Sequence, residues 1–243
     1  MSSFKWISPV IDIQKILRDG QLTVTGRLID ASNATLLADC TSDDITLQCI
    51  YKPVAGERPL WDFPDGNLAQ REYAAYLISE YSQLNLVPVT LLREGPFGFG
   101  MVQEWINIDE SVDLASFFST DDSQLRKMAL FDAVINNTDR KIGHLLPRAD
   151  GRLFGCDHGV TFHAENKLRT VLWQWAGMTF MEEEIAVLQL IKSKIEINEL
   201  DILQSLISDL EYQALFERVD NLLSSGSFPL PHSDWPSIPW PAF

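Results

Sequence analysis

Apolar and polar residues alternate in two different rhythms along this chain, and the rhythm changes near residue 106. Before that point short, strand-like alternations dominate. Leu22 to Thr25 alternates and meets Gly26, and Leu28-Ile29 carries the strand towards Asp30 to Asn33. Thr35 to Ala38 resumes an extended pattern. Ile45 to Tyr51 predicts a third strand, running into Lys52-Pro53. Val87 to Leu92 and Met101 to Ile106 predict two more strands, parted by the turn Gly95 to Gly100. Two helices interrupt them. Residues 8 to 19 start at Ser8-Pro9, bring Val10, Ile13, Ile16 and Leu17 to helical spacing and stop at Asp19-Gly20. Leu68 to Ser79 has the stripe Ala69, Tyr73, Tyr76 and Leu77, with Asn67 as its cap.

After residue 106 the helical period takes over. Val112 to Phe118, Ser123 to Ile135, Glu182 to Ser193, Glu199 to Ser208 and Tyr212 to Leu223 all predict helices. Only Arg152 to Cys156 reads as a strand. In Ser123 to Ile135 the apolar face holds Leu125, Met128, Ala129 and Ala133, and Asp132 falls on it too. A carboxylate there needs a hydrogen-bond partner, so Asp132 is expected to support the loop that follows. The stretch 224 to 243 holds five of the twelve prolines with Trp235 and Trp240; it is excluded from helix and central strand and is expected to lie over the second lobe. The change of rhythm divides the chain into 1–105 and 106–243.

Chemistry-bearing residues cluster just past the second of these long helices. Asn136-Asn137 favours a helix end or a turn. Asp139-Arg140-Lys141 follows, then His144. A second carboxylate, Asp157, comes eighteen positions after Asp139, between a short apolar piece and Gly159. Two carboxylates on turns joined by one short hairpin can converge, which suits a divalent metal and a nucleophile that needs orienting. Upstream, Lys52 ends a strand and Glu72 lies twenty positions on, beside the apolar stripe of its helix. Each has a plain reading as a solvated surface charge. The local pattern does not decide between that and a lysine held by a helix-borne carboxylate.

Charge narrows the partners. The formal net charge of −15 argues against a nucleic-acid surface and against adhesion to an anionic membrane face. Cys40, Cys49 and Cys156 are odd in number and widely spaced, which predicts a reducing compartment without a disulfide framework. No apolar run suits a signal peptide or a bilayer span, so a cytoplasmic protein without stable membrane insertion is expected.

The order Lys52, Glu72, Asp139-Arg140, His144, Asp157-His158-Gly159 resembles the phosphatidylinositol 3-/4-kinase-like branch of the protein-kinase-like superfamily. The run Tyr51 to Gly66 resembles a bacterial subgroup of it, familiar from actinobacteria. The resemblance implies an α+β, bilobal protein-kinase-like fold, with a β-rich N-terminal lobe and a helical C-terminal lobe. It implies transfer of the γ-phosphoryl group of ATP to a hydroxyl, with Mg²⁺ or Mn²⁺. Asp139 would orient and deprotonate the acceptor, with Arg140 supporting the catalytic loop. His144 and Asp157 would hold the metal. Lys52 would bind phosphates and Glu72 would fix it. Ser32 and Asn33 would donate to phosphate oxygens, although an ordinary hairpin turn accounts for them equally. Gln103, Glu104 and Trp105 would form the hinge that meets the adenine ring through main-chain groups. A role for Gly56 to Gly66 in gating the cleft is expected to show in Arg58 or Trp61 variants. His144 stands where the branch usually has Asn. An imidazole ligand predicts a preference for Mn²⁺ and a loss of activity below about pH 6. A nucleotide-binding regulator with little turnover and an AMP transferase on the same scaffold stay open. The acceptor reads as a protein or small soluble molecule rather than a lipid.

Overall fold

A computed structural model describes residues 11–28 and 33–243. Ser32, and the Ser8-Pro9 start expected for the first helix, lie outside the described residues. That helix, α1, spans Ile13–Asp19 and is capped by Asp12, whose carboxylate accepts the Lys15 N–H.

Five strands follow: β1 (Gln21–Arg27), β2 (Leu36–Ser42), β3 (Ile45–Pro53), β4 (Thr90–Gly95) and β5 (Gly98–Glu104). They form one antiparallel sheet in the order β1-β2-β3-β5-β4. The strand expected at Val87 starts only at Thr90. The turn expected over Gly95 to Gly100 is a tight hairpin in which Gly95 pairs with Gly98. In β3 the alternation is functional: Cys49 and Tyr51 are buried against α1, so Ile50 and Lys52 point the other way. Register sets Lys52 opposite Met101, and a Cβ on the neighbouring Gly100 would lie 2.4 Å from the Lys52 carbonyl oxygen.

Helix α2 (Leu68–Tyr81) joins the sheet to the rest. Asn67 caps it by accepting the Gln70 N–H, and the Glu57 carboxylate accepts the next two free donors, Leu68 N–H at 2.9 Å and Ala69 N–H at 2.8 Å. The loop Gly56 to Gly66 therefore fixes where α2 begins. Arg71 is fully buried and ties α2 to the last helix through Glu211 at 2.6 Å, and also donates to Thr161 O. The apolar face of α2 belongs to the larger of two cores, together with α4 (Ser123–Ile135), α5 (Glu182–Glu196) and α6 (Asp209–Ser225). The smaller core lies between α1 and the sheet. Helix α3 is short, Leu114–Phe117. The helix expected over Glu199 to Ser208 is only a 3₁₀ turn, Asp201–Ser205. Its Ile202 is left exposed and Leu203 and Leu206 reach the core, which a tighter turn satisfies in fewer residues.

A small ribbon of β6 (Leu145–Pro147) and β7 (Leu153–Gly155) pairs Leu145 with Gly155. His144 precedes one strand and Cys156-Asp157 follows the other, so both emerge at the same end. The stretch after α6 runs back across the helical part. Ser237 O accepts the Thr170 N–H and the Trp173 indole N–H, and Ala242 O accepts the Ile142 N–H.

Candidate active site

Helix α4 delivers the loop that carries Asp139 and Arg140, and its last polar residues are all used. Asn136 adopts the left-handed conformation with φ 51°, and its amide donates to the carbonyls of His163 and Glu165. Asn137 donates to Asp132 and accepts the Asp139 N–H at 3.0 Å. Asp132 is fully buried. It also accepts from Thr170 and from Arg140, whose Nη2 lies 2.9 Å away. Arg140 is likewise fully buried and donates to Cys156 O and His158 Nε2. It is closed off from solvent. It joins α4, the loop after it and the Asp157-His158-Gly159 turn.

That turn meets α2 and the sheet around one carboxylate. Glu72 is buried, not on the surface, because it is satisfied on both oxygens: Oε1 faces Lys52 Nζ at 2.6 Å and Oε2 accepts the His158 N–H at 2.9 Å. Lys52 Nζ also lies 2.8 Å from Asp157 Oδ1. Burial works against the charge on Lys52, but Asp157 and Glu72 outweigh it and hold its pKa above that of an ordinary lysine. Asp157 is pulled well below the usual carboxylate range by the Lys52 ammonium. Its backbone is left-handed, φ 61°, a conformation Asp tolerates better than most residues. Gly159 lets α2 approach: a Cβ there would sit 3.2 Å from that of Leu68.

Two cavities share Lys52, His144 and Asp157. One of about 570 Å³ runs under the sheet, between Ile50, Thr35 and Leu28 on one side and Leu146 and Cys156 on the other. Gln103, Glu104 and Trp105 line it. Their main-chain donors are not free for a ring, since Glu104 N–H is bonded to Val89 O and Trp105 N–H to Gln48 O. The Gln103 amide is spent on Thr90. Ile106 and Asn107, next along the wall, make no such main-chain bonds among the described residues. The second cavity, about 280 Å³ and more polar, holds Asp139, Lys141, Asn33, Glu57 and Phe243 around the same three residues. Asn33 lines it, but its side-chain oxygen accepts the Arg58 N–H.

Burial raises the pKa of Asp139, against the Lys141 ammonium 3.4 Å away, so its carboxylate is more basic than an ordinary aspartate. His144 Nε2 lies 3.5 Å from Asp157 Oδ2, and Nδ1 accepts the Lys141 N–H. Burial lowers the pKa of His144 to about 4, against the attraction of Asp157. The loss of activity expected near pH 6 assumed an ordinary, exposed imidazole.

His144 approaches Asp157, and Asp139 lines the same polar cavity without completing a three-ligand cluster with them. Among the described residues no cluster of three or more His, Cys, Asp or Glu side chains could hold a metal alone. The donor set at Asp157 fits a cation carried in on nucleotide phosphates, which needs only one or two protein carboxylates. Lys141, Glu57, Asp132 and His158 were not singled out in the sequence as site residues apart from the supporting role of Asp132. Lys141 had a signal, two positions past Asp139. His158 stands inside the Asp157-His158-Gly159 motif but meets its partner Glu72 from far along the chain, and Glu57 reaches Leu68 and Ala69 across the irregular loop before α2.

No protein-family model matches the sequence. Solved structures with this fold include the proinflammatory kinase CtkA of Helicobacter pylori (TM-score 0.51, 12% identity, 87% of this chain and 94% of that one). They also include the Golgi casein kinase with Mn and ADP bound (0.57, 12%, 87% and 74%) and hydra Fam20 with sugar (0.53, 10%, 88% and 86%). At these identities the likeness is one of fold, which is protein-kinase-like. It does not carry the narrower phosphatidylinositol 3-/4-kinase branch. Among the described residues no helix is long and apolar enough to cross a membrane. Protein Rv2133c of Mycobacterium tuberculosis is 41% identical over 267 aligned positions, covering 96% of each chain, and this chain belongs to the same family.

Proposed function

We propose that this protein is an ATP-dependent phosphotransferase that moves the γ-phosphoryl group to a hydroxyl on a protein or small soluble molecule. The observation that carries the reading is Lys52 Nζ between Glu72 and Asp157, at the junction of an apolar-walled cavity and a polar one containing Asp139. The first cavity is large enough for a nucleoside. The second has an ammonium and a carboxylate of raised pKa side by side, as phosphoryl transfer needs.

In this reading residues 1–105 and 106–243 form two lobes with the nucleotide between them. Gln103 to Asn107 wall the base, which meets main-chain groups at Ile106 and Asn107. Lys52 binds phosphate oxygens and Glu72 keeps its ammonium aimed. Asp157 would hold Mg²⁺ or Mn²⁺, whose charge offsets that of the phosphates. Asp139 orients the acceptor hydroxyl and takes its proton. Lys141 and Asn33 lie where they can contact the transferred group. Arg140 and Asp132 hold the loop.

Incubation of the purified protein with ATP labelled at the α- or γ-phosphate tests this. Label transferred from the γ-position to an acceptor, or to the protein itself, supports the reading. Transfer from the α-position makes it an AMP transferase. Tight nucleotide binding without transfer of either label, across candidate acceptors, makes it a binding regulator.

A further inference from the structure

We infer that His144 serves this site as a fixed hydrogen-bond donor through Nε2–H, and that Asp157, without His144, is what the protein offers to the nucleotide's cation. The part concerning the cation rests on the phosphotransferase reading; the part concerning the ring does not.

The two ring nitrogens of His144 have different neighbours. The Lys141 main-chain N–H points at His144 Nδ1 from 3.4 Å. A main-chain amide only donates, so Nδ1 accepts, and an imidazole whose Nδ1 accepts carries its proton on Nε2. The bond is returned, because His144 N–H donates to Lys141 O at 3.2 Å. Both bonds lie within the 3₁₀ turn Ile142–His144. That turn is held from outside by the Ile142 N–H on Ala242 O and runs straight into β6. The Lys141 amide cannot swing away without unwinding it.

On the other side of the ring, Nε2 faces Asp157 Oδ2 at 3.5 Å, while Asp157 Oδ1 takes the Lys52 ammonium at 2.8 Å. Asp157 thus has the Lys52 ammonium on one oxygen and the edge of the neutral ring near the other. A metal ligand must present a lone pair. For Nε2 to do so, its proton would have to move to Nδ1, which would then face the Lys141 N–H, donor against donor. The ring borders both cavities. Phosphate oxygens drawn to Lys52 therefore come within range of the same Nε2–H. His144 then replaces a ligand by a second, uncharged phosphate donor, and the choice between Mg²⁺ and Mn²⁺ is released from the imidazole.

The test uses the full chain labelled with ¹⁵N-histidine, with a His144→Gln sample to assign the signals among the four histidines. In the free protein at neutral pH, nitrogen NMR should show the one-bond N–H splitting on Nε2 of His144 and none on Nδ1. The reverse pattern overturns the inference whatever the protein does with ATP. Pulsed EPR on the complex with Mn²⁺ and ATP should then show no coupling from a directly bound ¹⁵N of histidine. A coupling that disappears in His144→Gln overturns it. If Mn²⁺ and ATP do not bind at all, the phosphotransferase reading fails and the cation half of the inference fails with it, while the nitrogen spectrum still decides the ring.

Discussion

The Glu72 carboxylate accepts the main-chain N–H of His158 at 2.9 Å with one oxygen while the other holds Lys52. A helix residue thereby couples the strand that carries the lysine to the turn that carries Asp157. Replacing Lys52 by Met leaves Glu72 buried without its cation and Asp157 without its nearest countercharge. Breaking a buried pair from one side costs about 3–5 kcal/mol. Lys52 keeps 19% of its side-chain exposure, so we expect the lower end, together with loss of nucleotide binding. Urea denaturation and calorimetric titration with ATP check the two effects. A variant that binds ATP as well as the parent would remove Lys52 from the site.

Asp132 receives Arg140, Asn137 and Thr170 in a place without solvent. Asp132→Ala strands the Arg140 guanidinium, and about 3–5 kcal/mol of stability should go. The loop Asn137 to Arg140 should loosen before the sheet does. Hydrogen exchange would show it as faster exchange at Asn137 to Arg140 with β3 unchanged.

Asp139→Asn keeps the Asn137 contact, which is made by the main chain of residue 139. Nucleotide affinity should stay within a few-fold of the parent. Turnover should fall by about 10²–10⁴, the usual share of a general base. Transfer of γ-label, measured beside ATP binding, separates the two.

Acid should weaken the fold in a defined window. The His144 pKa is 6.5 in an open chain and about 4 in this fold. Between those values the unfolded chain binds a proton that the folded chain refuses. Stability therefore falls as pH drops from about 6.5 to about 4, by about 3 kcal/mol from His144 alone. Buried His158, lowered in the same direction, adds to it. Asp157, with its depressed pKa, contributes stability that goes only below about pH 4. Denaturant midpoints from pH 7 to pH 4.5 should slope downwards, and His144→Gln should flatten the slope. A slope left unchanged by His144→Gln would contradict the burial argument, since carboxyls of raised pKa such as Asp139 act in the opposite direction in both proteins.

Gly100→Ala tests the sheet at its tightest point. The new Cβ would sit 2.4 Å from Lys52 O and 2.7 Å from Pro53 Cα, both backbone atoms that cannot step aside. Strands β3 and β5 must part there. Overpacking of this kind costs about 1–3 kcal/mol, and ATP affinity should fall with it because Lys52 moves. An unchanged melting temperature would show that the pair can open without penalty.

Much of this site could be read in one dimension. Alternation in Ile45 to Tyr51 gave Lys52 a strand to end, and helical spacing with Asn67 as cap gave Glu72 its helix. The asparagines after Ile135 had to stop α4, and a short apolar piece before Asp157 had to bring it back beside His144. These are local matters of period, cap and hairpin length, and a sequence carries them directly. Other features depend on meetings between distant residues. Spacing leaves Glu72 at the edge of its stripe; burial is decided by His158 arriving from the far side. Nor does it assign the hinge donors, because Glu104 and Trp105 lose theirs to Val89 and Gln48 only once β3, β4 and β5 are aligned. The proton on His144 follows from which main-chain amide stands behind the ring, and the packing of the folded chain alone determines that.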